Sequence, residues 1–190
     1  IPPTLLISSL GQIDDVRRSV TAPFKTAGDR VYAVGATKDE MGASAYYRML
    51  ASEQGDRGNY GGNVPRVDAD TALRIYAAMN KACGAGILRS ATTPAKGGLA
   101  VALARATVGS GLGARIELEA LPCAGELSDA QRLFSESNSR FIVSCSPEDS
   151  SALEKIFADL PHARLGQVVA SGKLEIEGDA GTIAACSIDD

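Results

Sequence analysis

The sequence predicts a mixed α/β domain, and three observations carry that prediction. Short apolar runs bounded by glycine and polar turns recur along the chain, capped segments with helical spacing lie between them, and no repeat, low-complexity tract or linker divides the 190 residues into two cores. A chain of this length buries one substantial core, so a single domain over residues 1–190 is expected, with helices packed on one largely antiparallel or mixed sheet.

Taken in order, Thr4 to Leu10 is β-prone and stops at Gly11, and the stretch through Asp14, Asp15 and Pro23 is expected to loop toward a strand at Arg30 to Gly35. Ala45 to Gln54 has helix formers, with Tyr46, Tyr47 and Leu50 at helical spacing. Gly55 to Pro65 carries four glycines and two asparagines, a composition that resists helix and strand and leaves a loop long enough to be functional. Asp68-Ala69-Asp70-Thr71 opens a helix whose acidic start suits the helix dipole, whose stripe runs through Leu73, Tyr76, Ala77, Asn80 and Cys83, and which ends at Gly84 and Gly86.

Further along, Ile87 to Ala91 is a short strand candidate, Gly97 to Val108 an alanine-rich helix and Ala114 to Leu118 a strand. Ser128 caps a helical turn to Phe134, with Gln131 where a capping box places it. A strand over Arg140 to Cys145, a helix over Asp149 to Leu160 and strands at Arg164 to Ala170, Leu174 to Ile176 and Thr182 to Cys186 complete the order.

Composition excludes several classes. No apolar run approaches the roughly 20 residues that span a bilayer, and a net charge of −4 with scattered Lys and Arg offers no footprint for nucleic acid. Cys83, Cys123, Cys145 and Cys186 are far apart without C-x-x-C spacing, which fits small buried hydrophobes with free thiols rather than zinc ligands. With no export signal legible, a cytoplasmic location is expected. Ile1-Pro2-Pro3 lacks an initiator Met and the chain stops just after a strand-like run, so both ends are expected to be cut points in a longer polypeptide.

Three segments could carry chemistry. Thr92-Thr93-Pro94-Ala95-Lys96-Gly97-Gly98-Leu99 lies between a strand and a helix start, where backbone N–H groups, the Thr hydroxyls and Lys96 could meet a phosphate. It matches neither of the standard phosphate-loop patterns, and close packing explains a Gly pair equally well. In Phe134-Ser135-Glu136-Ser137-Asn138-Ser139-Arg140, Glu136 could bind a metal, accept a substrate hydroxyl or pair with Arg140, or the cluster could be a solvated turn. Thr37-Lys38-Asp39-Glu40-Met41-Gly42-Ala43-Ser44 follows a strand, where acidic side chains can face a crevice; Asp39 and Glu40 could help hold Mg²⁺ or simply favour a helix entrance. The sole histidine, His162, is expected in a surface loop with no catalytic partners.

Six words in sequence, Pro3-Thr4-Leu5-Leu6-Ile7-Ser8, Val31-Tyr32-Ala33-Val34-Gly35, Asp39-Glu40-Met41-Gly42-Ala43-Ser44-Ala45-Tyr46-Tyr47, Gly61-Gly62-Asn63-Val64-Pro65, Gly97-Gly98-Leu99-Ala100-Val101-Ala102-Leu103-Ala104 and Phe134-Ser135-Glu136-Ser137-Asn138-Ser139-Arg140-Phe141, resemble the phosphoribosylformylglycinamidine synthase family. The likeness runs from about Pro3 to Cys145, more loosely to the end, and is to an aminoimidazole-ribonucleotide-synthetase-type carboxy-terminal domain. It implies a three-layer α/β/α sandwich with a mixed sheet, packed beside a companion ATP-binding domain of the same chain. It also implies an ATP- and Mg²⁺-dependent ligase that converts formylglycinamide ribonucleotide to its amidine with ammonia from a glutaminase domain or subunit, the fragment itself being inactive alone. Thr92, Thr93, Lys96, Gly97, Gly98, Glu136, Ser137 and Arg140 are the substrate- or phosphate-binding candidates; no catalytic residue and no metal ligand is assigned.

One departure matters. Where many relatives place Asp-x-Ser-Asp-Gly-Gly, this chain reads Thr93-Pro94-Ala95-Lys96-Gly97-Gly98, so a metal contact there is in doubt and a direct phosphate contact by Lys96 or a structural pseudo-site takes its place. Two rivals stand beside the ligase: a non-catalytic scaffold domain of the same enzyme, and another superfamily enzyme such as a carbamoyl dehydratase or a thiamine-phosphate-kinase relative.

Overall fold

Alternation along one short strand organises the molecule. In a computed structural model, which describes residues 6–13, 15–55 and 61–188, β1 (Arg30–Val34) turns Val31 and Ala33 to one face of a sheet and Tyr32 and Val34 to the other, and all four are buried. A strand buried on both faces needs a layer on each side.

The sheet has seven strands, adding β2 (Ser90–Thr92), β3 (Gly113–Glu117), β4 (Phe141–Cys145), β5 (His162–Val169), β6 (Lys173–Gly178) and β7 (Gly181–Ser187), in the order β2-β4-β1-β5-β3-β6-β7. Every pairing is antiparallel except β3 with β6, so the sheet is mixed. On one face α1 (Ala45–Glu53), α3 (Gly98–Val108) and α4 (Asp129–Phe134) follow the chain; Leu99, Leu103, Ala106 and Leu133 join Val31, Ile116, Ile142 and Leu165 in the larger core. On the other, α2 (Ala69–Gly84) and α5 (Ser150–Phe157) bring Ile75, Met79, Leu153 and Phe157 onto Tyr32, Val143 and Cys145. The expected three-layer α/β/α sandwich is therefore the observed one.

Several local expectations are corrected. Leu6 to Leu10 is not a strand: Leu6, Ile7 and Leu10 are exposed with no strand beside them among the described residues, and β-propensity without a partner does not make a ladder; Thr4 and Leu5 lie outside the described residues. The buried stripe of α2 is Ala72, Ile75, Met79 and Ala82, one position away from the expected one, leaving Leu73 and Tyr76 exposed. Ile87 and Leu88 are core residues ahead of β2 rather than part of it. His162 opens β5, half-buried, with Nδ1 2.9 Å from the Leu160 carbonyl. Of the four free cysteines Cys145 is buried and Cys186 is exposed, so the small-hydrophobe reading fails for the latter. No helix among the described residues is long and apolar enough to cross a membrane.

Candidate functional site

The loop that leaves β1 is built around a buried cation. Arg140, 4% exposed, directs Nη1 to Thr37 Oγ1 (2.8 Å), Nη2 to the Ser135 carbonyl (2.5 Å) and Nε to the Ser137 carbonyl (3.0 Å). Burial pulls its pKa down to about 10, and the nearby carboxylates of Glu40 and Glu136 work in the opposite direction. Ser135 Oγ donates to the Lys38 carbonyl (2.6 Å), Ser137 Oγ accepts from the Lys38 N–H (3.0 Å), and Thr37 exchanges backbone bonds with Pro122 and Ala124. The chain reaches this network by a sharp exit: Gly35 has φ +87°, and a Cβ there would stand 2.5 Å from the Ser139 carbonyl oxygen. Residues 37–40 are thus fixed on both sides.

Glu136 does something sequence spacing does not reveal. Its Oε1 accepts the backbone N–H of Ala45 (2.8 Å) and of Gly97 (2.8 Å), so one carboxylate joins the amino ends of α1 and α3, where the helix dipoles favour negative charge. Gly97 and Gly98 both have positive φ, and a Cβ on Gly98 would meet the Leu133 carbonyl oxygen at 2.5 Å, so the Gly pair lets α3 start hard against the end of α4. Thr92 is half-buried at the end of β2, while Thr93 and Lys96 are exposed on the loop between. The candidates therefore separate: Glu136, Gly97 and Gly98 share one joint, Ser137 and Arg140 share the network under residues 37–40, and Thr93 and Lys96 stand on the surface.

Above that network lies a feature absent from the sequence-based candidate list. Lys38 and Arg66 line two adjoining clefts, one of about 210 Å³ that reaches Thr71 of α2 and the Asn138–Ser139 turn, and one of about 400 Å³ walled by Asp39, Glu40, Asn63 and Val64. Neither cation forms an ion pair among the described residues, although the Lys38 charge is one of the lesser influences that, after hydrogen bonds from Thr71, lower the Asp68 pKa. The segment carrying Arg66 is docked by the turn after β1: Glu40 Oε1 accepts the Arg66 N–H (2.9 Å), and Gly42 donates its N–H to the Asn63 carbonyl (2.7 Å). Glu40 is 6% exposed, and its Oε2 has no hydrogen-bond partner among the described residues. Ser139, at the rim, holds φ +58°, an uncommon left-handed conformation for a serine, and its Oγ lies 3.0 Å from Tyr76 Oη. A cation just past a glycine-rich loop and just ahead of a helix cap was the available signal for Arg66; nothing local pairs it with Lys38.

The family described as AIR synthase related protein, C-terminal domain, matches residues 26–179. Among solved structures, the chain is similar to Thermotoga maritima PurL complexed with FGAR, with a TM-score of 0.78 and 19% identity over 92% of this chain and 29% of that one. It is similar to PurLQS from Thermotoga maritima with a TM-score of 0.73 and 18% identity over 91% and 27%. For the hydrogenase maturation protein HypE in complex with ATP, the TM-score is 0.60 and the identity 16%, over 90% and 55%. At these identities the likeness is one of fold, and the chain spans less than a third of the Thermotoga maritima chains' length.

Proposed function

This chain belongs to the family of AIR synthase related proteins, matching their C-terminal domain, and from that premise we propose that it is one domain of an ATP-dependent carbon–nitrogen ligase of purine biosynthesis. In the reaction of such a ligase, ATP transfers its γ-phosphoryl group to the amide oxygen of formylglycinamide ribonucleotide, and ammonia released from glutamine displaces that phosphate, leaving amidine, ADP and phosphate. The observation that carries the reading is the turn after β1, immobilised by Arg140, Ser135 and Ser137 beneath two cations, Lys38 and Arg66, that form no ion pair among the described residues. Positive side chains carried on a backbone held in this way suit phosphate-bearing ligands.

Within that reading the chain's own residues bind and orient. Lys38 and Arg66 meet ligand phosphate, and Arg140 with the Ser135 and Ser137 hydroxyls keeps Lys38 and Glu40 in place without touching ligand. The divalent ion that would accompany ATP finds no group of three His, Cys, Asp or Glu side chains among the described residues, and in the Asp39–Glu40 pair one oxygen of Glu40 is already given to the Arg66 N–H. No step is assigned to a metal held by this chain. Companion ATP-binding domains of the same polypeptide and a glutaminase complete the enzyme.

A second reading, a structural pseudo-site at the start of α3, is favoured by one observation: the Glu136 carboxylate already occupies the place where a phosphate would receive the Gly97 N–H. The ligase reading meets one assay. The full-length polypeptide should release ADP only when formylglycinamide ribonucleotide and glutamine or ammonia are both supplied; ADP release with a carbamoyl or alcohol acceptor instead would overturn the substrate assignment.

A further inference from the structure

The helices are not attached alike. α3 buries Leu99, Leu103 and Ala106 in the larger core, and α2 and α5 bury Ile75, Met79, Leu153 and Phe157 in the smaller one. Among the described residues neither core includes a residue of α1; of its nine residues only Ala51 is buried, and Met49 is 49% exposed. A helix this short does not persist in water by itself, so contacts with the rest of the molecule hold it. Three of them gather at its amino end: Ser44 Oγ accepts the Tyr47 N–H (3.2 Å), Glu136 Oε1 accepts the Ala45 N–H (2.8 Å), and the Tyr46 ring stacks on Phe134 with centroids 4.5 Å apart. At the other end Ser52, Glu53 and Gln54 are exposed.

Segments with little buried apolar surface open at a lower free energy than the whole domain. We infer that α1 is an order–disorder element of this fold: it unfolds and re-forms as a unit while both cores stay intact, and the Glu136 carboxylate is the latch that sets how often it does so. The same Oε1 accepts the Gly97 N–H (2.8 Å), so the latch stays in place against α3 when Ala45 leaves it. Ser135 and Ser137, on either side of Glu136, hold the Lys38 carbonyl and N–H, which confines the opening to the chain beyond the turn after β1. A molecule that contacts α1 only when it is folded shifts this equilibrium to the ordered side. The inference goes beyond the ligase reading and stands or falls apart from it.

Hydrogen–deuterium exchange of the 190-residue chain under native conditions, read by mass spectrometry at peptides covering α1 and α3, tests it. The amides of α1 are expected to exchange about a hundredfold or more faster than those in the interior of α3. Glu136→Ala should speed exchange in α1 about tenfold or more, the loss typical of one hydrogen bond to a charged group, and leave the interior of α3 unmoved, because buried side chains hold that helix. Glu136→Gln, which keeps an acceptor without the charge, should fall between Glu136→Ala and wild type. Ser44→Ala removes the cap of α1 alone and should speed its exchange about fivefold, again with α3 unmoved; this variant keeps the test open if Glu136→Ala does not fold. Protection of α1 equal to that of α3, or a Ser44→Ala effect of the same size in both helices, means that α1 opens only with the whole domain and overturns the order–disorder element. Exchange of α1 that ignores both Glu136 substitutions overturns the latch.

Discussion

The two ends of β1 each bury a charge and treat it differently. At the end that leads into the clefts, Arg140 sits among three oxygens that accept from three separate nitrogens of its guanidinium. At the opposite end, Asp29, 1% exposed, has one oxygen 3.1 Å from Arg89 Nη1 and a second with no hydrogen-bond partner among the described residues. Burial raises the Asp29 pKa, with Arg89 pulling the other way. A planar cation with a fixed fork of donors can organise several loops at once, whereas a carboxylate clamped on one side holds only its partner. The clefts beside Lys38 and Arg66 lie at the end where each nitrogen of the buried charge has a partner.

Arg140→Ala breaks the contrast most severely. It removes the centre of the network and should cost about 3–5 kcal/mol of unfolding free energy, the usual penalty for breaking a buried charged cluster; Arg140→Lys should recover little, since an ammonium cannot reach the same three acceptors. Chemical denaturation reads both, and near-wild-type midpoints would show that the loop is held by its serines alone.

Next come the glycines that flank the strand. Gly35→Ala combines a left-handed φ with a Cβ driven onto the Ser139 carbonyl and should cost about 2–4 kcal/mol. Gly28→Ala has a similar φ, +95°, but open space around the new methyl group, so about 1–2 kcal/mol is expected. Equal losses at the two positions would mean that close approach at the cleft end contributes nothing.

Asp29→Asn should have the smallest effect on stability at neutral pH, and its signature is the pH dependence. A carboxyl whose folded pKa lies above its unfolded value near 3.8 favours the native state when protonated, so its contribution falls as pH rises from the ordinary carboxylate range through the raised folded value. Asn carries no such titration, and the variant's stability curve should be flatter over that window. Arg89 is half-exposed and can turn to water, which limits the loss of its partner.

Much of this architecture was legible in the chain's pattern. Val31 to Val34 and, interrupted only by Ser144, Ile142 to Cys145 declare buried strands by near-continuous apolar content, and Ser128 with Gln131 marks the start of α4, where the capping box forms as expected. The face of α2 was not legible. Helical spacing allows two stripes, and the one containing Ala72 and Ala82 faces inward beside Ile75 and Met79, while Tyr76 packs edge-on against Phe141 at the rim. The cluster at Ser135 to Arg140 could be located from sequence, but its work could not: hydrogen bonds to Thr37, Lys38, Ala45 and Gly97 span distant segments that no local motif connects. Lys38 and Arg66 become neighbours for the same reason, through the docking of Asn63 and Arg66 on the turn after β1.

The position of β1 in the sheet also has a consequence for how the molecule is made. Arg30 pairs with Cys145 on one side and with Gln167 on the other, so the centre of the sheet joins the beginning of the chain to its last third. During synthesis β1 leaves the ribosome long before either neighbour exists, and its apolar residues wait unpaired while the intervening helices form. Pairings this distant in sequence are slow to close. Chaperone dependence and yield in the cell should therefore track the time taken to translate from β1 to β5, and synonymous changes that slow elongation there should lower the soluble fraction without altering a single side chain.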